Sequence, residues 1–269
     1  MSTGQIATTA PAGRARVVPT AVSDTLAIAW RGLLTYRRVP QLLVFSTIQP
    51  VVFVLLFTYV FGGAIHVPGV DYVDYLMPGI FVQTVVFGAI ATAIGLATDV
   101  QTGLLERFRS LPMARSAVLT GRTLADLFRN VFVVILMAGV GFLVGFTVHT
   151  NAAKFVAAML LVLLFGYSMS WIFATVGLLI GNPEAAQAAS FPVMAPLVFA
   201  SSAFVPVATM PGWLQPFAEH QPVSVTASAA RALTLGTPAG SYILQSLAWV
   251  AGILLVFVPL AVRRYRRAV

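Results

Sequence analysis

Charge is scarce in this sequence. Its 269 residues hold 16 Lys+Arg and 8 Asp+Glu, or 9%, where a soluble globular domain carries about 25%. That deficit excludes an ordinary water-soluble protein. Cysteine is absent, so disulfides, thiolate metal sites and a cysteine nucleophile are excluded as well. Lysine occurs once, as Lys154 in the string HTNAAKF with no glycine before it. A P-loop needs a lysine behind a glycine-rich turn to hold phosphate, so this chain cannot be a P-loop ATPase. What is abundant is apolar side chain: 59% hydrophobic residues and a mean hydropathy of +0.91. A globule of this size cannot bury that much, and lipid is the solvent that accepts the surplus. The net charge of +8 would suggest nucleic acid in a soluble chain, but here the basic residues fall at the edges of apolar runs, so no nucleic acid partner is expected.

A hydrocarbon core about 30 Å thick needs roughly 20 apolar helical residues. Six windows qualify, at about 41–61, 75–98, 125–148, 155–180, 188–208 and 241–262. The expected fold is all-α and polytopic, with a membrane domain over 23–262 between a disordered tail, 1–22, and a basic tail, 263–269. Leu26, Trp30, Leu33 and Leu34 recur at helical spacing between Asp24 and Arg38, with Arg31 and Arg38 on another side. This pattern predicts an amphipathic helix lying in the membrane interface.

The basic residues orient the chain. Arg14, Arg16, Arg31, Arg37 and Arg38 precede the first window, Arg107, Arg109, Arg115, Arg122 and Arg129 lie between or at the margins of the second and third, and Arg263, Arg264, Arg266 and Arg267 follow the last. Only Lys154 and Arg231 fall on the other side, so the positive-inside tendency places both termini in the cytoplasm. Asp126, Arg129 and Asn130 open the third window. An ionised group at a helix centre costs about 2.5–3.5 kcal/mol, so these three are expected at the cytoplasmic edge, with Arg129 snorkelling and Asp126 as its partner. Pro192 and Pro196 should kink or break the fifth span. The stretch from Pro206 to Gly240 is too long for a turn and too polar for a span, and Trp213 and Phe217 in it suit the outer headgroup level. His66, His149 and His220 show no ligand spacing and read as solvated loop residues, and no metal site is expected.

The segment between the second and third windows carries a short apolar ridge, Leu104, Leu105, Phe108 and Leu111, with Glu106, Arg107 and Arg109 on other faces and Pro112 ending the helix. Such a helix suits docking into a groove of a cytosolic partner, and equally suits a membrane-surface connector. The string from Gly103 to Arg115 followed by Gly121-Arg122, together with Met210-Pro-Gly-Trp-Leu-Gln-Pro-Phe217, His220-Gln-Pro-Val-Ser224 and Arg231-Ala-Leu233, resembles the permeases of ABC-2-type transporters. The likeness is strongest to the daunorubicin/doxorubicin-resistance branch of drug and lipid exporters. It implies a bacterial plasma-membrane permease paired with a second permease, identical or paralogous, and with two copies of a separate ABC ATPase that bind ATP and Mg. It further implies that Leu104, Leu105, Glu106, Arg107, Phe108, Arg109, Leu111 and Pro112 couple to that ATPase, that spans two and five line the path, and that the stretch before the last span is an outer re-entrant lid.

Within those two spans, residues chosen for chemistry are Gln83, Thr84 and Phe87, then Phe199, Ser201, Ser202 and Phe204. They offer aromatic faces and sparse hydrogen bonding to an amphipathic substrate. The alternative is an ion-coupled secondary transporter, which usually places a carboxylate or broken helix near the midplane. Here Asp99 and Asp126 are expected at span ends and Glu184 in a loop. An intramembrane enzyme is disfavoured by the lack of any nucleophile, base or metal constellation, so the chain is expected to be a transporter without catalytic residues of its own.

Overall fold

The computed structural model describes residues 21–38, 41–65, 67–104 and 115–268. Among the described residues the chain is helical and has no strand. In chain order the helices are α1 (Ala21–Arg38), α2 (Gln41–Leu55) continuing into a π-helical turn (Leu56–Phe61), α3 (Tyr72–Gln101), α4 (Arg115–Val144), α5 (Ala152–Ile180), α6 (Pro183–Phe199), a 3-10 turn (Val207–Thr209), α7 (Gln215–His220), α8 (Pro222–Leu235) and α9 (Tyr242–Ala268). The apolar ridge Leu105–Pro112 of the coupling segment lies outside the described residues. Leu104 is described, half-buried just beyond the end of α3.

Among the described residues, four helices are long and apolar enough to cross a membrane, those containing Tyr72–Gln101, Leu119–Val144, Ala152–Ile180 and Tyr242–Tyr265. α3 is the central one. Its 30 residues span about 45 Å at helical rise, and it packs against α5, α6, α4 and α8. α9 is peripheral, and presents Leu244, Leu255 and Val256 outward, each more than half exposed. Outward leucines on a hydrophobic helix are what a lipid-facing surface requires.

The α5–α6 corner is written in the local sequence. Gly181 closes α5 in the left-handed conformation at φ 66°, Asn182 caps α6 by accepting the amide of Ala185, and Pro183 occupies the first turn, the positions where each residue type fits without strain. Glu184 therefore stands in the first turn of α6 and not in a loop. α6 also runs unbroken through Pro192 and Pro196. It ends at Phe199, after 17 residues or about 25 Å, shorter than a full hydrocarbon crossing.

The chain then turns through 200–206, and its freed carbonyls are met by side chains. Tyr72 donates to the carbonyl of Phe204 and Tyr75 to that of Ser202, each at 3.0 Å, while Gln221 donates to that of Leu197 at 2.8 Å. Arg231 is the hub. Its guanidinium donates to the carbonyls of Tyr75, Ser202 and Ala203 and lies 3.7 Å from the centre of the Tyr75 ring. Irregular backbone persists inside an apolar fold only when its polar groups are satisfied in this way. Arg231, counted from the sequence only as one of two basic residues on the outer side, is thus 6% exposed, and the helix that carries it, α8, is buried along most of its length.

At the same end of the bundle Asp74 in the first turn of α3 accepts from the backbone amide and hydroxyl of Thr147, both at 2.7 Å, and approaches His149 Nε2 at 2.7 Å. His149 is therefore half-exposed but tethered, which loop position alone does not reveal.

The opposite end is marked by a second apolar cluster in which Leu96, Leu119, Trp171, Leu178 and Tyr265 meet, with Ile28 of α1 packed on it. Arg31, Arg38, Arg263 and Arg264 are exposed on α1 and the final turns of α9, the two terminal elements of this end. α1 lies on the start of α4, where Ile28 meets Gly121 and Gly32 meets Ala125, and it leaves Leu26 and Trp30 outward at 57% and 63% exposure. That outward face suits the interfacial position its spacing predicts.

Candidate functional site

Between α2, α3 and α6 runs a cleft of about 660 Å³. Its walls are apolar along Phe87, Ile90 and Ile94 of α3 and Phe191 and Met194 of α6, and polar at Gln49 of α2 and at Glu184 and Gln187 near the start of α6. A mostly apolar groove with a few polar groups suits an amphipathic molecule of drug size. A side chamber of about 110 Å³ continues from it, sharing Gln49, Phe87 and Ala91 and bounded further by Ser46, Thr84, Arg129 and Asn130.

Beyond Phe87, toward the end of the bundle where α8 lies, aromatic rings fill the space. Phe53 of α2 lies 6.4 Å from Phe87, 6.3 Å from Phe199 and 5.8 Å from Phe204. Phe57, at the junction with the π-helical turn, stacks on Phe204 at 4.4 Å and 10°. Such pairs contribute about 0.5–1.5 kcal/mol each beyond area burial, so the group forms a cohesive plug over the far end of the cleft.

The sequence-selected residues divide between these features. Phe87 lines both the cleft and its side chamber, and Phe199 and Phe204 belong to the aromatic plug. Thr84 borders the side chamber and donates to the carbonyl of Ile80 at 2.7 Å. Gln83 is buried at 1% exposure and does not line the cleft. Ser201 donates to the carbonyl of Val198, and the Ser202 amide donates to Ser224 Oγ at 2.9 Å, so both serines hold the 200–204 turn. The cleft also draws on Gln49 of α2, and Phe53 of the same helix and Phe57 of the π-helical turn help form the plug. A signal for these was present: Phe53, Phe57 and Phe61 recur every four residues, one face of a helix.

The charged opening of the third span also differs from expectation. Arg129 does not snorkel. Its side chain is 5% exposed and turns onto the middle of α3, where it donates to the carbonyl of Gly88 and, at 3.2 Å, to Asn130 Oδ1. Asp126 lies 3.9 Å from Arg129 and accepts the hydroxyl of Thr92 at 2.6 Å. One turn nearer the basic end, Arg122 pairs with Asp99 at 3.0 Å. Gly88 and Gly95 make this possible, because a Cβ would meet Asn130 Oδ1 at 2.5 Å in the first case and the Arg122 guanidinium at 1.5 Å in the second. The two helices thus share a polar ladder in which each ionised group meets an opposite charge or a hydrogen-bonding partner, the condition for burying charge among apolar side chains.

Comparison with known proteins places this architecture. Residues 23–235 match the family described as ABC-2 type transporter. The chain is 38% identical over 263 residues to a daunorubicin resistance ABC transporter permease protein of Streptomyces coeruleorubidus, covering 98% of this chain and 93% of the relative. It is 30% identical over 249 residues to a probable doxorubicin resistance ABC transporter permease protein of Mycobacterium tuberculosis, covering 92% and 90% respectively. A putative transport permease of Porphyra purpurea is more distant, at 28% identity over 211 residues. The chain belongs to the ABC-2 type transporter family as the membrane-spanning permease of an ATP-driven exporter.

Proposed function

We propose that this chain exports an amphipathic drug-like or lipid molecule across a bacterial plasma membrane through the cleft between α2, α3 and α6. The observation that carries the reading is the cleft itself, apolar on α3 and α6, polar near the start of α6 and closed beyond Phe87 by the aromatic plug. The drug-resistance names of the 38% and 30% identical relatives support the same substrate class. In this reading α2 with its π-helical turn, and α6 with the 200–206 turn, complete six membrane crossings, both termini are cytoplasmic, and α7 and α8 form the outer lid. The exposed arginines of α1 and α9 at one end of the bundle support that orientation.

Two permease chains, identical or paralogous, form the path, and two ATPase subunits hold ATP and Mg²⁺. The ATPase docks on Leu104, Leu105, Glu106, Arg107, Phe108, Arg109, Leu111 and Pro112. Closure of the ATPase pair pushes on that segment, which follows α3 in the sequence, and α3 packs against the other two walls of the cleft, α2 and α6. Two measurements test the reading. Phe108→Ser with Leu111→Ser should abolish co-purification of the ATPase or uncouple hydrolysis from export, and unchanged assembly and transport would refute the docking role. Phe87→Ala should raise the drug concentration that half-maximally stimulates ATP hydrolysis by about five- to tenfold, and an unshifted curve would remove the cleft from the transport path.

A further inference from the structure

The side chamber of the cleft has a chemical bias. Arg129 and Asn130 border it, at 6% and 2% exposure, and each keeps one buried donor without a hydrogen-bond partner among the described residues: Arg129 Nε and Asn130 Nδ2. The remaining polar atoms of the pair are engaged. Arg129 Nη2 serves Gly88 and Asn130 Oδ1, and Nη1 faces Asp126, which also holds Thr92. A buried donor left unpaired is costly, and Arg129 Nε and Asn130 Nδ2 can only be answered by an acceptor. The volume of about 110 Å³ has room for a few waters, or one small functional group with its oxygen atoms.

We infer that this chamber is a subsite for the oxygen-bearing end of the transported molecule, whose carbonyl, hydroxyl or phosphate oxygens accept from Arg129 Nε and Asn130 Nδ2 once these enclosed donors turn toward it, while its apolar body lies along Phe87, Ile90 and Phe191. The inference rests on the cleft reading above and adds a requirement to it: an acceptor oxygen at one end of the substrate. Because Asp126 offsets the charge of Arg129, the subsite takes neutral as well as anionic acceptors. A drug quinone and a lipid phosphate share this chemistry, and the test separates them.

The test measures equilibrium binding to the full chain in lipid nanodiscs, above that of empty nanodiscs, for three probes: dihydroxyanthraquinone, anthracene of the same tricyclic shape without oxygens, and short-chain phosphatidic acid. Two variants retain much of the ladder. Arg129→Lys keeps the charge but loses the Nε donor, and Asn130→Asp keeps Oδ1 while turning the donor into an acceptor. Each variant should weaken dihydroxyanthraquinone or phosphatidic acid by about tenfold or more, the scale of one lost hydrogen bond to a charged or buried group, and leave anthracene unchanged. The oxygenated probe that loses affinity identifies the substrate source. Equal losses for anthracene, or no loss for either oxygenated probe, would overturn the subsite alone. An unaltered chain that binds none of the three would overturn the cleft reading and the subsite together.

Discussion

At the scale of single residues, Asp74, Arg129 and Arg231 are buried charges that organise the fold. None is recognisable as such from its place in the sequence. Arg231 sits in a polar stretch between apolar windows, and charge in such a stretch reads as solvated. Its burial depends on carbonyls more than 25 positions away, at Ser202, Ala203 and Tyr75, and no local pattern encodes them. No carboxylate pairs with it among the described residues, so the backbone turn it satisfies is its main partner. Arg231→Ala would leave several buried carbonyls without donors, and it should lower stability by about 3 kcal/mol or more. Lysine at this position should recover only part, because an ammonium lacks the planar fork that reaches three carbonyls together. Thermal unfolding followed by tryptophan emission in detergent checks this, and an unchanged midpoint for Arg231→Ala would contradict the hub role. Arg129 illustrates the same limit: the sequence shows Asp126 as a neighbour at helical spacing, but not the carbonyl of Gly88 on another helix.

At the scale of elements, most of the architecture was legible. The windows at 75–98, 125–148, 155–180 and 241–262 correspond to α3, α4, α5 and α9, because a long apolar run leaves a helix no alternative in a medium without water. That α1 is a helix was legible from its periodicity. The 188–208 window was less so, since its second half is a turn whose backbone is satisfied by Tyr72, Tyr75, Gln221 and Arg231 from other elements. The two prolines inside α6 cost it donors but did not end it.

Close packing of α3 and α5 gives a sharp prediction at this scale. A Cβ on Gly177 would lie 2.3 Å from the carbonyl oxygen of Ala93, a backbone atom, whereas a Cβ on Gly139 meets nothing within 4 Å. Gly177→Ala should therefore push the helices apart and destabilise by about 1–3 kcal/mol. Gly139→Ala should be neutral or stabilising by up to about 1 kcal/mol from helix propensity. The two melting curves, compared directly, check it: equal shifts would mean that the α3–α5 approach is looser than described. A milder effect is expected at the α5–α6 corner, where Asn182→Ala removes the cap on Ala185 and should cost about 1 kcal/mol.

At the scale of the whole molecule, scarcity of charge says membrane, and placement of charge distinguishes one end of the bundle from the other. Basic residues are exposed on α1 and on the final turns of α9, while the carboxylates Asp99 and Asp126 are paired within the α3–α4 ladder. A carboxylate already committed to arginine and threonine is poorly suited to bind and release a coupling ion on each cycle, so the ladder agrees with an energy source outside this chain. The candidate path was only partly legible. Phe87, Phe199 and Phe204 were selected for their chemistry within the two spans that the family resemblance pointed to, but α2 and its π-helical turn contribute Gln49, Phe53 and Phe57, and their participation depends on how the helices meet in space.

This permease moves its substrate only when a separate ATPase hydrolyses ATP. The most direct measurement reconstitutes the permease with that ATPase in proteoliposomes and follows substrate accumulation. Accumulation should require hydrolysable ATP and should persist when proton and sodium gradients are collapsed. Accumulation driven by an ion gradient in the absence of ATP would show an ion-coupled transporter instead.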